Sequence, residues 1–364
     1  MHLIQNRCTG CGYCVLTCPY DALTTTGWVE LLPAKCTDCN LCVYACPADC
    51  FVPDKPLKPY SPRLHSNYDA VIIGSGLGGL MTGAALARAG WSVAVFEKLG
   101  FPGGRYTELD YKGVPVTTGA WTNLGPNSHI GHFLADLGLE LDYISLEDVG
   151  LAEQYAIRFA DGRHYAGLFD MLSPQTRKAW LKAITVGRGK KGDSSPSSLS
   201  HLSTTDYITQ FSTDPDLLAL IDAVIGTASG LNGISMPASE YIELVLAARE
   251  AGLQFAMPRG GVRAIIKALV KTLRQAGGQL WLRTPVTKIT TDHRCATGIQ
   301  LADGRLVHSK VLIHNGGPAR FIKLAGSKNL PADYVNKLTG LKKVECAVLF
   351  GATREPLFLD APVL

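Results

Sequence analysis

The chain has 364 residues, more than one hydrophobic core normally serves, which predicts about two or three domains. Hydrophobic residues make up 46% and charged residues 18%, a balance that excludes an intrinsically disordered protein. The formal net charge is only +4, so nothing in the charge indicates nucleic-acid binding, and no apolar run is long enough to predict a membrane span. The first residues lack the apolar core of a secretory signal, and we therefore expect a cytoplasmic protein.

The first predicted element is a duplicated cysteine run. Residues 8–19 read Cys-x2-Cys-x2-Cys-x3-Cys-Pro, and the same spacing recurs 28 residues later in residues 36–47. Such a run wraps around a [4Fe–4S] cube, with three ligands from one run and the fourth from the other. The sequence therefore predicts two clusters. The expected ligands of the first are Cys8, Cys11, Cys14 and Cys46, and those of the second are Cys36, Cys39, Cys42 and Cys18.

Zinc ribbons and disulfides are the alternative uses of these cysteines. Zinc ribbons carry their ligands in two separate pairs and rarely close with Cys-Pro, while disulfides need an oxidising compartment. Both alternatives fit the spacing less well than iron–sulfur clusters do. Three further cysteines, Cys50, Cys295 and Cys346, stand outside the repeat and are predicted to be packed thiols.

Residues 1–52 resemble a bacterial two-cluster ferredoxin, because both cysteine runs and their closing prolines match that pattern. The resemblance implies two low-potential one-electron centres. Residues 53–66 then carry prolines at every third position from Pro53 to Pro62, the period of polyproline II. This segment is predicted to be a linker, either a semi-rigid strap that holds the clusters near a second cofactor or an ordinary connection.

A dinucleotide-binding unit is predicted directly after the linker. A short apolar strand at residues 68–73 leads into the turn Gly74-Ser75-Gly76-Leu77-Gly78-Gly79, followed by a helical pattern to Ala89 and a second strand at residues 91–96. The glycines allow a tight turn, close approach to a pyrophosphate and close helix–strand packing. Glu97 ends the second strand and is placed to bind a ribose hydroxyl.

The residues after Glu97 indicate which dinucleotide is bound. Gly103-Gly104-Arg105 follows at short distance, and residues 68–364 resemble the FAD-dependent amine oxidase and phytoene desaturase group, with the desaturase, carotenoid isomerase and retinol saturase branch the nearer match. The resemblance also rests on residues 257–261, on a helix predicted from Val262 to Gln275, and on residues 277–278, 286–289, 298–305 and 311–315. It implies FAD as the cofactor. The expected cofactor-binding residues are Gly74, Ser75, Gly76, Gly78, Gly79, Glu97, Lys98, Gly103, Gly104, Arg105, Gly119 and Val286.

The predicted fold class is α/β, α+β overall, with a small two-cluster ferredoxin-like domain ahead of a Rossmann-type FAD domain that carries an inserted substrate or cap domain. We expect the FAD domain at residues 67–124 and 255–325, and the cap domain at residues 125–254 and 326–364. Apolar sets between Leu202 and Leu253 predict amphipathic helices, as the roof of an apolar tunnel or as a plain helical core.

The chain departs from the family pattern in three places. Val116-Thr117-Thr118-Gly119 stands where the group has an acidic residue two positions before a glycine. Residues 187–200 are Ser-rich and basic, which predicts a surface loop or a docking patch for an acidic partner. The family's last glycine-rich turn is missing before Leu364, so we expect either a fragment or a second chain that completes the FAD fold.

The resulting hypothesis is an FAD-dependent oxidoreductase whose clusters couple single-electron transfer to two-electron flavin chemistry. The family resemblance implies desaturation, saturation or isomerisation of C=C bonds in an apolar, isoprenoid-like small molecule, and we expect the ferredoxin domain to supply or remove the electrons. A redox partner protein is also expected. The alternative is an electron-transfer subunit of a larger anaerobic complex. No residue is assigned as catalytic. His129 and His132 are expected to be surface or packing histidines, and Thr117, Trp121 and Asn123 are expected near the flavin ring.

Overall fold

The computed structural model describes residues 1–25, 27–54, 63–111, 114–117, 119, 125–145, 157–158, 163–165, 169–187, 196–250, 256–293 and 295–341. The predicted features outside these residues are most of the proline linker, Thr118, Trp121, Asn123, the basic part of the Ser-rich stretch and Cys346. The chain divides into two compact units. The first comprises residues 1–122, 132–143 and 257–341, and the second residues 123–131, 144–256 and 342–364.

The cysteine runs form a small module at the start of the first unit. Its buried core includes Val15, Leu23, Val29 and Phe51. Two-residue strands from its beginning and end pair antiparallel, with His2 opposite Val52. The elements are β1 (His2–Leu3), α1 (Tyr13–Thr17), β2 (Leu23–Thr25), β3 (Val29–Leu31), α2 (Leu41–Ala45) and β4 (Phe51–Val52), with 3-10 turns at Gln5–Arg7 and Pro33–Lys35.

A six-stranded sheet is the centre of the first unit. The strands are β5 (Asn67–Ile73), β6 (Val93–Phe96), β13 (Gln279–Trp281), β14 (Val286–Asp292), β15 (Cys295–Leu301) and β16 (Leu306–His314). Their order in the sheet is β13-β6-β5-β16-β15-β14, with parallel pairing from β13 to β16 and antiparallel pairing from β16 to β14. The chain is α/β, as predicted. The apolar side chains of β5 and β6 are buried, as is usual for parallel strands that are covered on both faces, whereas Leu306 and Val311 of β16 are exposed.

Helices and hairpins complete the first unit. The helix α3 (Leu77–Arg88) follows β5 at the glycine turn, and α9 (Val262–Gln275) packs beside it. A hairpin of β7 (Glu108–Tyr111) and β8 (Val114–Thr117) follows the second glycine pair. Two further helices are α10 (Pro318–Ala325) and α11 (Ala332–Thr339), with a 3-10 turn at Ser327–Asn329 between them. None of the helices in the described residues is long and apolar enough to cross a membrane.

The second unit is mainly helical. Its core is formed by Leu217, Ile221, Ile225, Tyr241 and Ile242, with other apolar side chains packed against them. The predicted apolar sets therefore serve as a helical core in the described residues. The elements are β10 (Ile157–Arg158), β11 (His164–Tyr165), α5 (Pro174–Gly187), α6 (Thr204–Ile208), α7 (Pro215–Ser229) and α8 (Ala238–Glu250), with a 3-10 turn at Pro196–Leu199. Three elements have residues in both units, namely α4 (His129–Asp136), β9 (Tyr143–Ser145) and β12 (Ala256–Pro258).

Several expectations differ from the observed structure. Cys295 is exposed at the start of β15, so the prediction of a packed thiol is wrong there, because the residue opens a hairpin at the sheet edge. By contrast, Cys50 is buried in the core of the cysteine module. The helix predicted from Leu80 begins three residues earlier at Leu77. Residues 326–341, expected in the cap domain, group with the first unit, and the predicted folding domains stay predictions.

Candidate functional site

The fold brings each predicted set of four cysteines around its own cavity. A first cavity is lined by Cys8, Cys11, Cys14 and Cys46, together with Gly12 and the buried Cys50. A second cavity is lined by Cys18, Cys36, Cys39 and Cys42. Both cavities take three cysteines from one run and one from the other, which is the arrangement that the spacing predicts.

The local backbone explains this exchange of the fourth cysteine. Each run passes through a left-handed residue, Gly12 (φ 70°) or Asn40 (φ 62°), and then makes a single helical turn. The amide N–H of Cys18 donates to the carbonyl of Cys14 at 3.1 Å, and Cys46 donates to Cys42 at 3.0 Å. The turn ends there in extended backbone, which carries the fourth cysteine away from its own run and towards the other cavity.

The surroundings of the sulfur atoms suit a bound cluster. The amide N–H groups of Gly10 and Val29 each point at Cys8 Sγ at 3.4 Å, and that of Cys50 points at Cys46 Sγ at 3.3 Å. Hydrogen bonds of this kind tune the potential of an iron–sulfur cluster. Burial raises the pKa of the Cys14 thiol, and raises the pKa of Cys42 to about 12, so metal binding must displace the thiol protons.

The spread of the cysteines also bears on the kind of metal centre. Among the described side chains, no three His, Cys, Asp or Glu residues converge as a single metal ion would require. The cysteines instead lie around two separate spaces, four to each. Ligands distributed around such a space suit a cluster of several atoms.

The predicted dinucleotide site lies at the end of the parallel strands. The helix α3 starts at Leu77 after Gly76, and no side chain caps its first turn within the described chain. Gly103 pairs with Gly76 in a parallel bridge, and its N–H donates to the Ser75 carbonyl at 2.8 Å. Both predicted glycine segments therefore meet at a helix N-terminus, where free N–H groups bind a pyrophosphate. These residues fit the ADP half of FAD.

Glu97 lies buried beside this turn. Its Oε2 accepts from the Ser75 amide at 2.9 Å and from the Ser75 hydroxyl at 3.0 Å, while Oε1 accepts from the Leu99 amide at 2.9 Å. A carboxylate has about four acceptor positions, so Oε1 keeps capacity for a ribose hydroxyl. The residue thus fixes the turn, and its contact to a ribose stays a prediction.

Asn315 is a site residue that the sequence reasoning missed. A Cβ atom built on Gly76 would lie 2.8 Å from Asn315 Nδ2, and one built on Gly78 would lie 3.0 Å from Oδ1. At Gly79 it would lie 2.2 Å from the Gly74 carbonyl oxygen. The glycines therefore make room for the Asn315 side chain as well as for a ligand. The available signal is that Asn315 directly follows β16, a parallel neighbour of β5.

The remaining predicted FAD residues lie on several elements of the first unit. Lys98 and Arg105 are exposed, Val286 is buried at the start of β14, and the Val286 carbonyl accepts from the Arg320 guanidinium at 3.3 Å. A Cβ built on Gly119 would lie 1.9 Å from the Arg105 carbonyl oxygen, so this position tolerates no side chain. The roles of these residues in binding FAD stay predictions.

A buried carboxylate lies beside the position where the family carries an acidic residue. Thr117 occupies that position, and its hydroxyl donates to Glu108 Oε1 at 3.5 Å. Glu108 Oε1 also accepts from the Val262 amide at 3.2 Å, the first N–H of α9. A Cβ on Gly261 would lie 2.1 Å from the same oxygen. Glu108 therefore acts as a side-chain acceptor at the start of α9.

The cysteine module contacts the rest of the first unit through two separate groups of residues, one in loops and one on the helix α9. Tyr13 stacks on Phe101 with ring centroids 3.9 Å apart, and Arg283 donates to the Cys46 carbonyl at 2.9 Å. Elsewhere, Arg274 of α9 donates to the Thr17 carbonyl at 3.0 Å. Lys267 of α9 also forms an ion pair with Asp21 at 2.7 Å.

Two family models match the chain. Residues 7–55 match the model described as "4Fe-4S dicluster domain". Residues 77–360 match the model described as "Flavin containing amine oxidoreductase". The first match covers both cysteine runs, and the second starts inside the glycine turn.

Relatives of known name point to the same group. The chain is 26% identical to the chloroplastic prolycopene isomerase of Arabidopsis thaliana, over 74% of this chain and 51% of that protein. It is 26% identical to a neurosporene-forming phytoene desaturase of Cereibacter sphaeroides, over 68% of this chain and 52% of that protein. The chain spans about half the length of the curated relatives it matches.

A solved structure of an oxidoreductase from Methanosarcina mazei is also similar. Its TM-score is 0.63 at 26% identity, and the match covers 75% of this chain and 65% of that one. The observed α/β fold is therefore shared with a known oxidoreductase.

Proposed function

The chain belongs to the family of flavin-containing amine oxidoreductases, and on that premise we propose that it joins two [4Fe–4S] clusters to FAD in one oxidoreductase. The observation that carries this proposal is the placement of both cysteine-lined cavities and the glycine turn in the same compact unit. FAD, when bound, exchanges electrons either singly or in pairs, so a chain that also holds one-electron clusters can convert between the two modes.

The residues of the chain have separate tasks in this proposal. The eight cysteines hold iron in two sets of four, and the amide N–H groups at Cys8 and Cys46 stabilise the charge on their sulfurs. The glycine turn and the start of α3 bind the pyrophosphate, and Glu97 binds the ribose. Lys98, Gly103, Gly104, Arg105, Gly119 and Val286 are proposed as further contacts to FAD.

The proposed substrate is an apolar, isoprenoid-like polyene whose C=C bonds are desaturated, saturated or isomerised. The named relatives support this class, since they are a prolycopene isomerase and a phytoene desaturase. A redox partner protein is proposed to supply or accept the single electrons. The second unit provides a predominantly helical region for the substrate domain.

Anaerobic purification of the full chain, followed by reconstitution with iron, sulfide and FAD, tests the cofactor content. We expect about eight irons and one FAD per chain from the ligand count. About two zinc ions and no flavin would end the proposal.

The loaded protein is then mixed anaerobically with a linear carotenoid while the flavin absorbance is followed. We expect the flavin absorbance to change when the carotenoid is added, and the polyene spectrum to change with it. Electron exchange only with a protein partner, with no change in any polyene tested, would favour the electron-transfer subunit instead.

A further inference from the structure

The first cavity and the glycine turn at residues 74–79, named the flavin turn from here on, are joined by a continuous series of short contacts. The Arg283 guanidinium donates to the carbonyl of Cys46, which lines the first cavity. The amide of Arg283 donates to the Leu99 carbonyl at 2.9 Å, and the amide of Leu99 donates to Glu97 Oε1 at 2.9 Å. The other oxygen of Glu97 accepts from Ser75 in the glycine turn. Every step in this series is a hydrogen bond.

A second series of contacts runs parallel to the first. Tyr13 lies between Cys11 and Cys14 in the sequence, and its ring stacks on Phe101 with an interplanar angle of 21°. Phe101 lies two residues before Gly103, which pairs with Gly76 of the turn. The loop of residues 97–104 therefore contacts Tyr13, which lies between the cavity-lining residues Gly12 and Cys14, and pairs with the flavin turn through Gly103.

The second cavity is contacted from a different element. Arg274 and Lys267, which contact Thr17 and Asp21 beside this cavity, both lie on the helix α9. That helix packs on α3 at Gly83, where Leu273 lies 3.5 Å from an added Cβ, beyond the first turn of α3. The two cavities thus differ in how directly they reach the flavin turn.

The backbone at Arg283 adds an independent observation. Its φ is +50°, a left-handed conformation that side chains other than those of Gly, Asn and Asp seldom adopt. Such residues persist where the surrounding structure holds them in place, and they concentrate at functional positions. In this case both the amide and the guanidinium of the residue are engaged, one towards Leu99 and one towards Cys46.

We propose that Arg283 is a positioning residue that couples the first cluster to FAD, so that filling the first cavity strengthens flavin binding and flavin strengthens retention of the first cluster. The second cluster lies outside this coupling. The proposal rests on the proposed function. Coupling between two sites is reciprocal, because the free energy of binding both ligands does not depend on their order.

The test compares Arg283→Met with Arg274→Met in the full chain, reconstituted anaerobically with iron and sulfide. Each substitution removes a guanidinium that donates a hydrogen bond to a backbone carbonyl. For Arg283 this is the carbonyl of Cys46 at the first cavity, and for Arg274 it is the carbonyl of Thr17, the residue before Cys18, at the second. We expect Arg283→Met to weaken FAD binding roughly tenfold, the ordinary size of such coupling, while iron content is kept. Arg274→Met leaves FAD affinity within about twofold.

A spectroscopic measurement separates coupling from a purely structural role. In the wild type, we expect the EPR signal of one reduced cluster to change when FAD is added, and this response to disappear in Arg283→Met. Arg283→Lys, which keeps a donor, should restore part of the response. Phe101→Leu removes the stacking contact of the second series with Tyr13, and we expect the same loss of FAD affinity and of the EPR response. This variant keeps the proposal testable if Arg283→Met does not fold.

Equal loss of FAD affinity in the Arg283 and Arg274 variants would overturn the proposal, and so would unchanged affinity in both Arg283→Met and Phe101→Leu. Failure of the wild type to load iron or flavin would instead contradict the proposed function. The two failures are therefore distinguishable.

Discussion

The two cysteine runs share a backbone but differ in side chains. Gly10 (φ 70°) and Asp38 (φ 52°) are 28 residues apart, as are Gly12 (φ 70°) and Asn40 (φ 62°), and all four are left-handed. Glycine adopts this conformation freely, whereas Asp and Asn tolerate it at some cost. The repeated loop geometry therefore does not depend on glycine, and a duplicated segment can keep its conformation while its sequence changes.

The surroundings of the two cavities differ more than the backbones of the two runs do. The first cavity adjoins Arg283 through the Cys46 carbonyl, and Tyr13 beside it stacks on Phe101 in the loop that leads to the flavin turn. The second cavity adjoins α9, where Arg274 donates to the carbonyl of Thr17, the residue before Cys18. Equivalent cysteines thus lie in unequal environments, and substitutions at matched positions measure what the environment contributes.

The largest expected effect comes from pairs of cysteine substitutions. If the fourth ligands are exchanged between the runs, Cys14→Ser with Cys46→Ser removes one cluster and leaves about four irons per chain. Cys42→Ser with Cys46→Ser removes both clusters. Iron and sulfide analysis distinguishes these outcomes, since ligation within each run predicts the reverse pattern.

Gly76→Val is expected to separate flavin from iron. The added side chain would meet Asn315 at 2.8 Å from its Cβ and would occupy the approach to the pyrophosphate. We expect flavin to be lost while most iron is kept, with any iron loss confined to the first cluster. Gly90→Ala is the control, because nothing lies within 4 Å of its Cβ although φ is +87°. Retained flavin in Gly76→Val would remove the glycine turn from the site.

A smaller effect is expected at Asp21 and its counterpart Asp49. Lys267 holds the pKa of Asp21 below its ordinary value, so the stabilisation is present above that value and is lost as the pH falls through the lowered pKa. Asp21 is 56% exposed, so Asp21→Asn should lower the free energy of unfolding by only about 0.5 kcal/mol at pH 7. Asp49→Asn is the matched control, with no ion pair in the described residues. Urea unfolding at pH 7 and pH 3 measures both, and equal changes would contradict the assigned role of Lys267.

A comparably small effect is expected when the residues at the equivalent left-handed positions of the two runs are exchanged. Gly12→Asn introduces the residue that the second run carries there, and Asn40→Gly makes the opposite change. Each should alter the free energy of unfolding by less than about 1 kcal/mol and leave the iron content unchanged. Loss of one cluster in Gly12→Asn would show that the first cavity needs the smaller residue.

Much of the binding framework was predictable because it depends on local spacing. The cysteine intervals predict which four side chains meet, and the turn after residues 68–73 predicts where a helix begins at a sheet edge. The helix at residues 262–275 has the predicted bounds. Its apolar residues recur on one face, and that pattern is visible in any single stretch of sequence.

The contacts between distant segments were not predictable in this way. Arg283, Phe101 and Asn315 carry no motif, and they matter only because folding brings them next to the cysteine run or the glycine turn. The helix α5 was missed because its residues are mixed in polarity, although Trp180 donates to the Tyr241 hydroxyl at 2.9 Å in the core. Whether such residues meet depends on how the fold places distant side chains, and the spacing of residues in the sequence carries no information about that.

The pairing of β1 with β4 means that the polypeptide enters and leaves the cysteine module at one edge, with His2 beside Val52. Segments whose two ends meet can be inserted into or grafted onto other scaffolds with little disturbance. The module could in that sense be transferred to another protein as one unit. Its specificity for this flavoprotein then rests on a few side chains around Tyr13 and Cys46, and transplantation would require those to be matched anew.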